Sequence, residues 1–301
     1  LNIKKVHVII NPASGRDEAV LNRLNTVFNE TGIAWDIAVT HKSGDALAVA
    51  RGVIGSDYDA LLVYGGDDTI AEAAAGLHGS DIPLAILPGG TANVLATELG
   101  IPRVLEQALA LLHDGTTRCI DLGRAGDRLF TVRLSTGLLA EIVLRPDREA
   151  KNRFGELAYA LAGLQALSEP NEAQYEIAID GSTETISGVA CLVANSGNLA
   201  LEGVSFSADI RVDDGLLDVI VIRRADLSSI VSIAASAARL ESIGEPLPHW
   251  QGREIAVRAE PPQVVAIDGE DMGKTPVSAA IIPASIRVFV PKDAQQGGEV
   301  A

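Results

Sequence analysis

Leu61-Leu-Val-Tyr-Gly65-Gly-Asp67-Asp68-Thr69-Ile-Ala-Glu72 is the stretch on which the reading of this chain turns. A short apolar run ends in two glycines, two aspartates and a threonine, and a helix-like pattern follows through Ala75. Strand, glycine-rich turn and helix N-terminus together form an anion cradle: glycine lets the backbone approach an oxyanion, and first-turn amides point at it. The grammar repeats in Leu84-Ala-Ile-Leu-Pro88-Gly89-Gly90-Thr91-Ala92-Asn93. One such turn is weak evidence; two so close together point to a nucleotide site.

Working outward, Lys5 to Ile10 reads as a buried strand, and Asn11-Pro12-Ala13-Ser14-Gly15-Arg16 as a third turn of similar character. Asp17 to Glu30 has helical periodicity, with Val20, Leu21, Leu24, Val27 and Phe28 on one face. Trp35 to Thr40 reads as a strand, and a helix is expected from Ser43-Gly-Asp45, with Ser43 as its cap. Pro83 to Leu87 reads as a strand, and Thr91 to Leu99 and Arg103 to His113 as helices. Strand and helix alternate throughout, which predicts an open α/β domain with a mainly parallel sheet over residues 1–122. In such sheets ligands bind outside the carboxyl ends of the strands, where all three turns fall.

The pattern changes after Cys119. Short β segments dominate: Cys119 to Gly123, Arg128 to Leu134, Tyr175 to Ile179, Gly188 to Ala194, Leu217 to Ile222, Glu254 to Arg258, Val264 to Ile267 and Ile286 to Val290. Helices are expected at Arg153 to Ser168 and Leu227 to Leu240. Residues 123–294 therefore read as an antiparallel β-sandwich or barrel-like second domain, and 295–301 as a loose tail.

Composition narrows the function. The 301 residues carry a net charge of −16, which argues against nucleic acid as a partner, because phosphate neutralisation needs clustered Lys and Arg. It argues equally against long-range attraction to anionic lipid. Cys119 and Cys191 show no metal spacing and read as reduced structural thiols. The first residues carry no signal-peptide pattern, and no apolar run approaches the ~18 residues of a spanning helix. The expected setting is cytoplasmic, and any contact with a membrane surface, however transient, must be peripheral.

Three acidic sites could carry chemistry. Asp67, at a strand's carboxyl end, suits a role in binding Mg²⁺ or orienting a hydroxyl; capping its helix is the structural alternative. Asp213-Asp214-Gly215-Leu216-Leu217-Asp218 is either a turn or a cation site. Asp268-Gly269-Glu270-Asp271 is either a hairpin turn with solvated acids or the source of a general base. Thr69, Thr91 and Asn93 can donate to phosphate. The five histidines show no ligand spacing and receive no role.

These motifs, in this order, resemble the diacylglycerol kinase catalytic-domain superfamily, especially the bacterial soluble lipid kinases related to sphingosine kinases. Asn11-Pro-Ala-Ser-Gly15, Gly65-Gly-Asp-Asp-Thr69 and Pro88-Gly-Gly-Thr-Ala-Asn93 are similar to its three N-terminal signatures. Phe154-Gly155 through Tyr159, Asn195-Ser-Gly197, Asp214-Gly-Leu-Leu-Asp218 and Asp268-Gly-Glu270 resemble later ones. The resemblance implies an N-terminal NAD-kinase-like or phosphofructokinase-like α/β domain, a C-terminal β-sandwich whose last strand often returns to the first domain, and a site in the cleft between them. It implies Mg²⁺-dependent transfer of the ATP γ-phosphoryl group to a lipid hydroxyl, most readily diacylglycerol, within phospholipid biosynthesis. Carried over, the nucleotide contacts are Asn11, Pro12, Ala13, Ser14, Gly15, Thr40, Gly65, Gly66, Asp67, Asp68, Thr69, Ile70, Ala71 and Thr91. The metal set is Asp214 with the carbonyls of Arg211 and Leu216. Glu270 is the expected base, with Asp268 and Asp67 in the adjacent acid network. Two positions depart from the family: Asp68 replaces a glycine, and Ala71 a frequent asparagine. Asp68 adds charge beside the expected phosphates and raises pyrophosphate as an alternative donor, by analogy with the phosphofructokinase relatives. A kinase for a small non-lipid acceptor and a catalytically inactive lipid-binding protein are the other readings. A homodimer stays open.

Overall fold

A computed structural model of the chain describes residues 2–14, 19–144, 171–201, 204–205, 210–224 and 247–292. Gly15, the helices expected at 153–168 and 227–240, and the 295–301 tail lie outside the described residues. The chain divides into two compact units, Leu1–Ile120 with Ala284–Ala301, and Asp121–Pro283.

The first unit alternates β1 (Lys5–Ile10), α1 (Val20–Thr31), β2 (Ala34–Val39), α2 (Asp45–Val53), β3 (Ala60–Gly65), α3 (Asp67–Leu77), β4 (Leu84–Pro88), α4 (Val94–Glu98) and α5 (Leu105–Asp114). The strands lie in the order β2-β1-β3-β4 and are parallel, with Val8 opposite both Ile37 and Leu62, and Leu62 opposite Ala85. Every residue of β3 is buried, as expected of a strand covered on both faces. Helix α1 buries Val20, Leu24 and Phe28 but leaves Leu21 exposed. It ends at Gly32, whose left-handed conformation (φ 71°) returns its N–H to the Phe28 carbonyl.

Two local expectations are corrected. Ser43 does not cap α2. The α2 N-cap is Gly44, and the Glu72 carboxylate, reaching over from α3, accepts the Gly44 and Ala46 N–H groups and the Ser43 hydroxyl at 2.7–3.2 Å. A carboxylate at a helix N-terminus satisfies first-turn donors whether it is local or distant. The helix expected from Thr91 begins at Val94, because Asn93 adopts a left-handed conformation (φ 51°) and closes the preceding loop on itself.

The second unit begins within β5 (Thr116–Ala125), followed by β6 (Arg128–Phe130), β7 (Arg133–Gly137), α6 (Leu138–Val143), β8 (Ala173–Ile179), β9 (Ser182–Gly188) and β10 (Ala190–Ala194). After it come the small pair β11 (Asn198–Leu201) and β12 (Val204–Ser205), then β13 (Leu217–Ile222), β14 (His249–Gly252), β15 (Glu254–Glu260), β16 (Val264–Ile267), β17 (Glu270–Lys274) and β18 (Val277–Val290). The first half of β18, with β15, β8 and β9, makes one antiparallel sheet; β14-β13-β10-β7-β16-β17 makes the other. Tyr175, Ile177, Ile255 and Val257 from the first share a core with Leu134, Cys191, Val193, Val219 and Val265 from the second. The opposite face of the second sheet is also buried, through Leu192, Ile220 and Ile222 against Leu138 and Ile142 of α6. Burial on both faces explains why β10, and β13 from Val219 onward, are unbroken apolar runs in sequence.

The second half of β18 belongs to the first unit. It pairs in parallel with β4, Val288 opposite Leu84, and buries Ile286, Val288, Phe289 and Val290.

Candidate active site

In the first unit three turns meet at the carboxyl ends of β1, β3 and β4. Gly66 donates its N–H to Ser14 Oγ (3.2 Å), and the Asn11 side-chain amide donates to Thr69 Oγ1 (2.8 Å). Gly89 and Gly90 both donate to the Gly65 carbonyl (2.9 and 3.2 Å). A Cβ on Gly90 would lie 2.7 Å from Gly66 Cα, so the two turns touch backbone to backbone and tolerate no side chain there. Asn93 clamps the second turn, accepting from Gly90 N–H (2.9 Å) and donating to the Gly90 carbonyl (2.6 Å).

The expected nucleotide residues fall into distinct places. Pro12, Ala13, Asp68 and Thr91 are exposed, and Asn11, Ser14, Gly66, Asp67 and Ala71 are partly so. Gly65, Thr69, Ile70 and Thr40 are buried. The Ile70 side chain is packed in the core and its N–H bonds to the Gly66 carbonyl, so it shapes the turn from within. Thr40 hangs from the Ile10 carbonyl through its N–H (2.9 Å). Asp67 is the first residue of α3, with Gly66 as its N-cap. Asp67 and Asp68 thus put two carboxylates at the positive end of the helix dipole, where negative charge is favoured.

The acids of the second unit divide into two groups. Asp268 and Gly269 turn β16 into β17 with positive φ angles of 43° and 91°, which a two-residue type I′ hairpin turn requires. The Asp268 carboxylate accepts the N–H groups of Thr131 (2.7 Å), Val132 (3.1 Å) and Arg133 (2.9 Å) and the Thr131 hydroxyl (3.1 Å). Burial raises its pKa above the ordinary value, while these hydrogen bonds favour the charged form and oppose the rise. Two residues on, Glu270 is about half exposed and accepts a hydrogen bond from Arg128 Nη1.

The other group gathers around Asp121, Asp214 and Asp218. Asp121 is buried and accepts the Gly215 N–H at 2.7 Å. Asp214 accepts the Leu216 N–H at 3.0 Å; desolvation first, and then the carboxylates of Asp218 and Asp121, raise its pKa. Asp218 is fully buried. One of its oxygens is 2.6 Å from His249 Nε2 and accepts from Gln251 Nε2 at 2.9 Å; the other has no hydrogen-bond partner among the described residues. Crowded, partly desolvated carboxylates of this kind suit a cation. Among the described residues no trio of His, Cys, Asp or Glu side chains is arranged to hold a metal. An ion here would have to draw on backbone oxygens, as the expected set of Asp214 with the Arg211 and Leu216 carbonyls does. The Arg211 side chain points its Nε at Asp213 (3.2 Å). Sequence reading missed Asp121 and His249. Asp121 had a signal, a carboxylate between Ile120 and Leu122 in an apolar strand; His249 had none, since its partner is 31 residues away.

Residues 5–125 match the diacylglycerol kinase catalytic domain, and residues 133–290 the YegS C-terminal NAD kinase β-sandwich-like domain. An uncharacterized protein of Synechocystis is 29% identical, with 96% of this chain and 70% of that protein aligned. A diacylglycerol kinase of Bacillus subtilis is 28% identical, with 97% of this chain and 98% of that protein aligned. The crystal structure of a diacylglycerol kinase from Bacillus anthracis superposes with a TM-score of 0.80 at 24% identity, over 97% of this chain and 99% of that one, which shows the fold. With both domains matched in order along its length, the chain belongs to the diacylglycerol kinase catalytic-domain superfamily of lipid kinases.

Proposed function

We propose that the protein transfers the γ-phosphoryl group of ATP to a hydroxyl of diacylglycerol. The observation that carries this reading is the junction of three glycine-rich turns, where Gly66 and Gly90 touch and leave backbone as the surface a polyphosphate would meet. Phosphoryl transfer asks a protein for positioning and charge neutralisation more than covalent help. In the proposed step Glu270 accepts the proton of the acceptor hydroxyl, whose oxygen attacks the γ-phosphorus. The bond to the β–γ bridging oxygen breaks and ADP leaves with the electron pair. Asp67 sits in the first turn of α3, beside the expected phosphates.

Mg²⁺ would neutralise phosphate charge and, at Asp214 with the Arg211 and Leu216 carbonyls, relieve the crowding of Asp121, Asp214 and Asp218. Lipid access implies contact with a membrane surface; among the described residues no helix is long and apolar enough to cross one.

One observation favours a second donor. Asp68 is exposed in the first turn of α3, with Oδ1 lying 3.1 Å from where a Cβ on Gly66 would stand, so it adds negative charge beside the cradle. Pyrophosphate, the smaller donor, is the alternative. A transfer assay with radiolabelled ATP and radiolabelled pyrophosphate against a panel of lipid alcohols separates the two. Labelled phosphatidic acid from ATP and diacylglycerol is the expected product. No transfer from either donor, with lipid still bound, would leave a lipid-binding protein and end the kinase reading.

A further inference from the structure

We infer that Arg128 is a positioning residue that sets the orientation of the Glu270 carboxylate, and that the segment carrying it is built for that task. The inference rests on the reading of Glu270 as proton acceptor.

Arg128 opens β6, one arm of the hairpin formed with β5, and sits opposite Ala125. The hairpin is stiff. Phe130 is fully buried against Gly123, where a Cβ would fall 2.0 Å from the Phe130 ring, so only glycine fits beneath it. The next residues are gripped from two sides. Asp268 takes the N–H groups of Thr131, Val132 and Arg133. Asn195, fully buried, donates its side-chain amide to the Thr131 carbonyl (2.9 Å), and the Asn195 and Ser196 N–H groups both bond to the Val132 carbonyl (2.9 and 3.1 Å). The same Asn195 amide also reaches the Asp121 carbonyl at 3.1 Å. One Asp–Gly turn therefore does two things: Asp268 anchors the 131–133 backbone, and Glu270 meets the side chain that emerges just before that anchor.

The Arg128–Glu270 pair is a poor candidate for a stabilising contact. Both side chains are about half exposed (47% and 48%), and pairs this open to solvent contribute little to folding. Its geometric effect is larger. A guanidinium that holds a carboxylate oxygen from a braced hairpin restrains where that carboxylate can point. A general base must lie within hydrogen-bond reach of the proton it takes, and small misplacements are costly.

The test compares Arg128→Ala, Arg128→Lys, Glu270→Gln and the Arg128→Ala/Glu270→Gln double variant. The assay uses ATP with short-chain diacylglycerol in mixed micelles. Arg128→Ala should lower kcat by ~10–100-fold while KM for ATP stays within about twofold, since only alignment is lost. Arg128→Lys should recover most of kcat, because an ammonium group can donate to the same carboxylate. The double variant should be no slower than Glu270→Gln alone. Thermal midpoints of the Arg128 variants should match the wild type. If Glu270→Gln is inactive and Arg128→Ala retains wild-type kcat, the inference fails while the reading of Glu270 stands. If Glu270→Gln is fully active, that reading fails and takes the inference with it. Equal losses in Arg128→Ala and Arg128→Lys with a raised KM would overturn it too, by showing that Arg128 binds substrate itself.

Discussion

At the ends of β1, β3 and β4 the atoms that face an expected ligand belong to the backbone; at the β16–β17 turn they belong to side chains. The glycine turns work by what is missing, since any Cβ on Gly90 collides with Gly66. The acidic turn works by what is present, and two carboxylates separated by one glycine have opposite fates. Asp268 is spent on holding backbone, whereas Glu270 faces outward on a half-exposed arginine. A motif made of glycines keeps its meaning wherever the chain folds. A motif made of acids acquires its meaning from residues more than 130 positions away.

That contrast is breakable. The largest effect is expected at Asp268. Asp268→Ala leaves three amide N–H groups without their acceptor and should cost ~3 kcal/mol of stability, read by denaturant unfolding. Glu270→Ala should cost almost none while abolishing transfer; a Glu270→Ala protein that unfolds as early as Asp268→Ala would erase the distinction. Next, Gly90→Ala should lower kcat/KM for ATP by ~100-fold through displacement of the touching turns. Unchanged ATP kinetics in that variant would mean the glycines serve folding alone. A smaller effect is expected at Asp68. Removing its charge in Asp68→Gly should speed transfer from ATP by ~10-fold, about 1.4 kcal/mol. Slower ATP use would show that this carboxylate helps to bind the donor.

The smallest effect sharpens the same point for a carboxylate with a purely structural setting. Asp180 accepts the Arg253 and Glu254 N–H groups at 2.8–3.0 Å, and these hold its pKa below the ordinary 3.8. Its contribution is therefore present above that pH and is lost as pH falls below it through the depressed folded-state value. Asp180→Asn should narrow the difference between thermal midpoints measured at pH 7 and near pH 3. An unaltered difference would remove Asp180 from the acid response.

Legibility in the sequence followed the same division. Strands β3 and β4 of the first unit were readable because burial on both faces leaves unbroken apolar runs. Strands β9, β14 and β17, which escaped reading along with the small pair β11 and β12, lie at sheet edges, and Ser182-Thr-Glu-Thr-Ile-Ser-Gly188 is mostly exposed. An edge strand needs no apolar alternation, and polar edges discourage stray pairing. The short helix α6 escaped for a different reason: six residues after Gly137 are too few for a period. At the site, the glycine turns were legible as motifs. The grip of Asp268 on 131–133, the reach of Glu72 to α2 and the pairing of His249 with Asp218 were not, because each joins residues far apart in sequence.

Strand β18 has a consequence for the order in which the protein is made. The first unit opens the chain, yet its sheet takes its last strand from residues 284–290, translated after the whole second unit. Domains generally fold as they emerge from the ribosome, N-terminal ones first. Here the half with the glycine turns starts first and finishes last. A released chain truncated after Pro283 should show faster amide exchange along β4 than one that runs through Val290. A β4 already protected in the shorter chain would show that the first unit closes without its late strand.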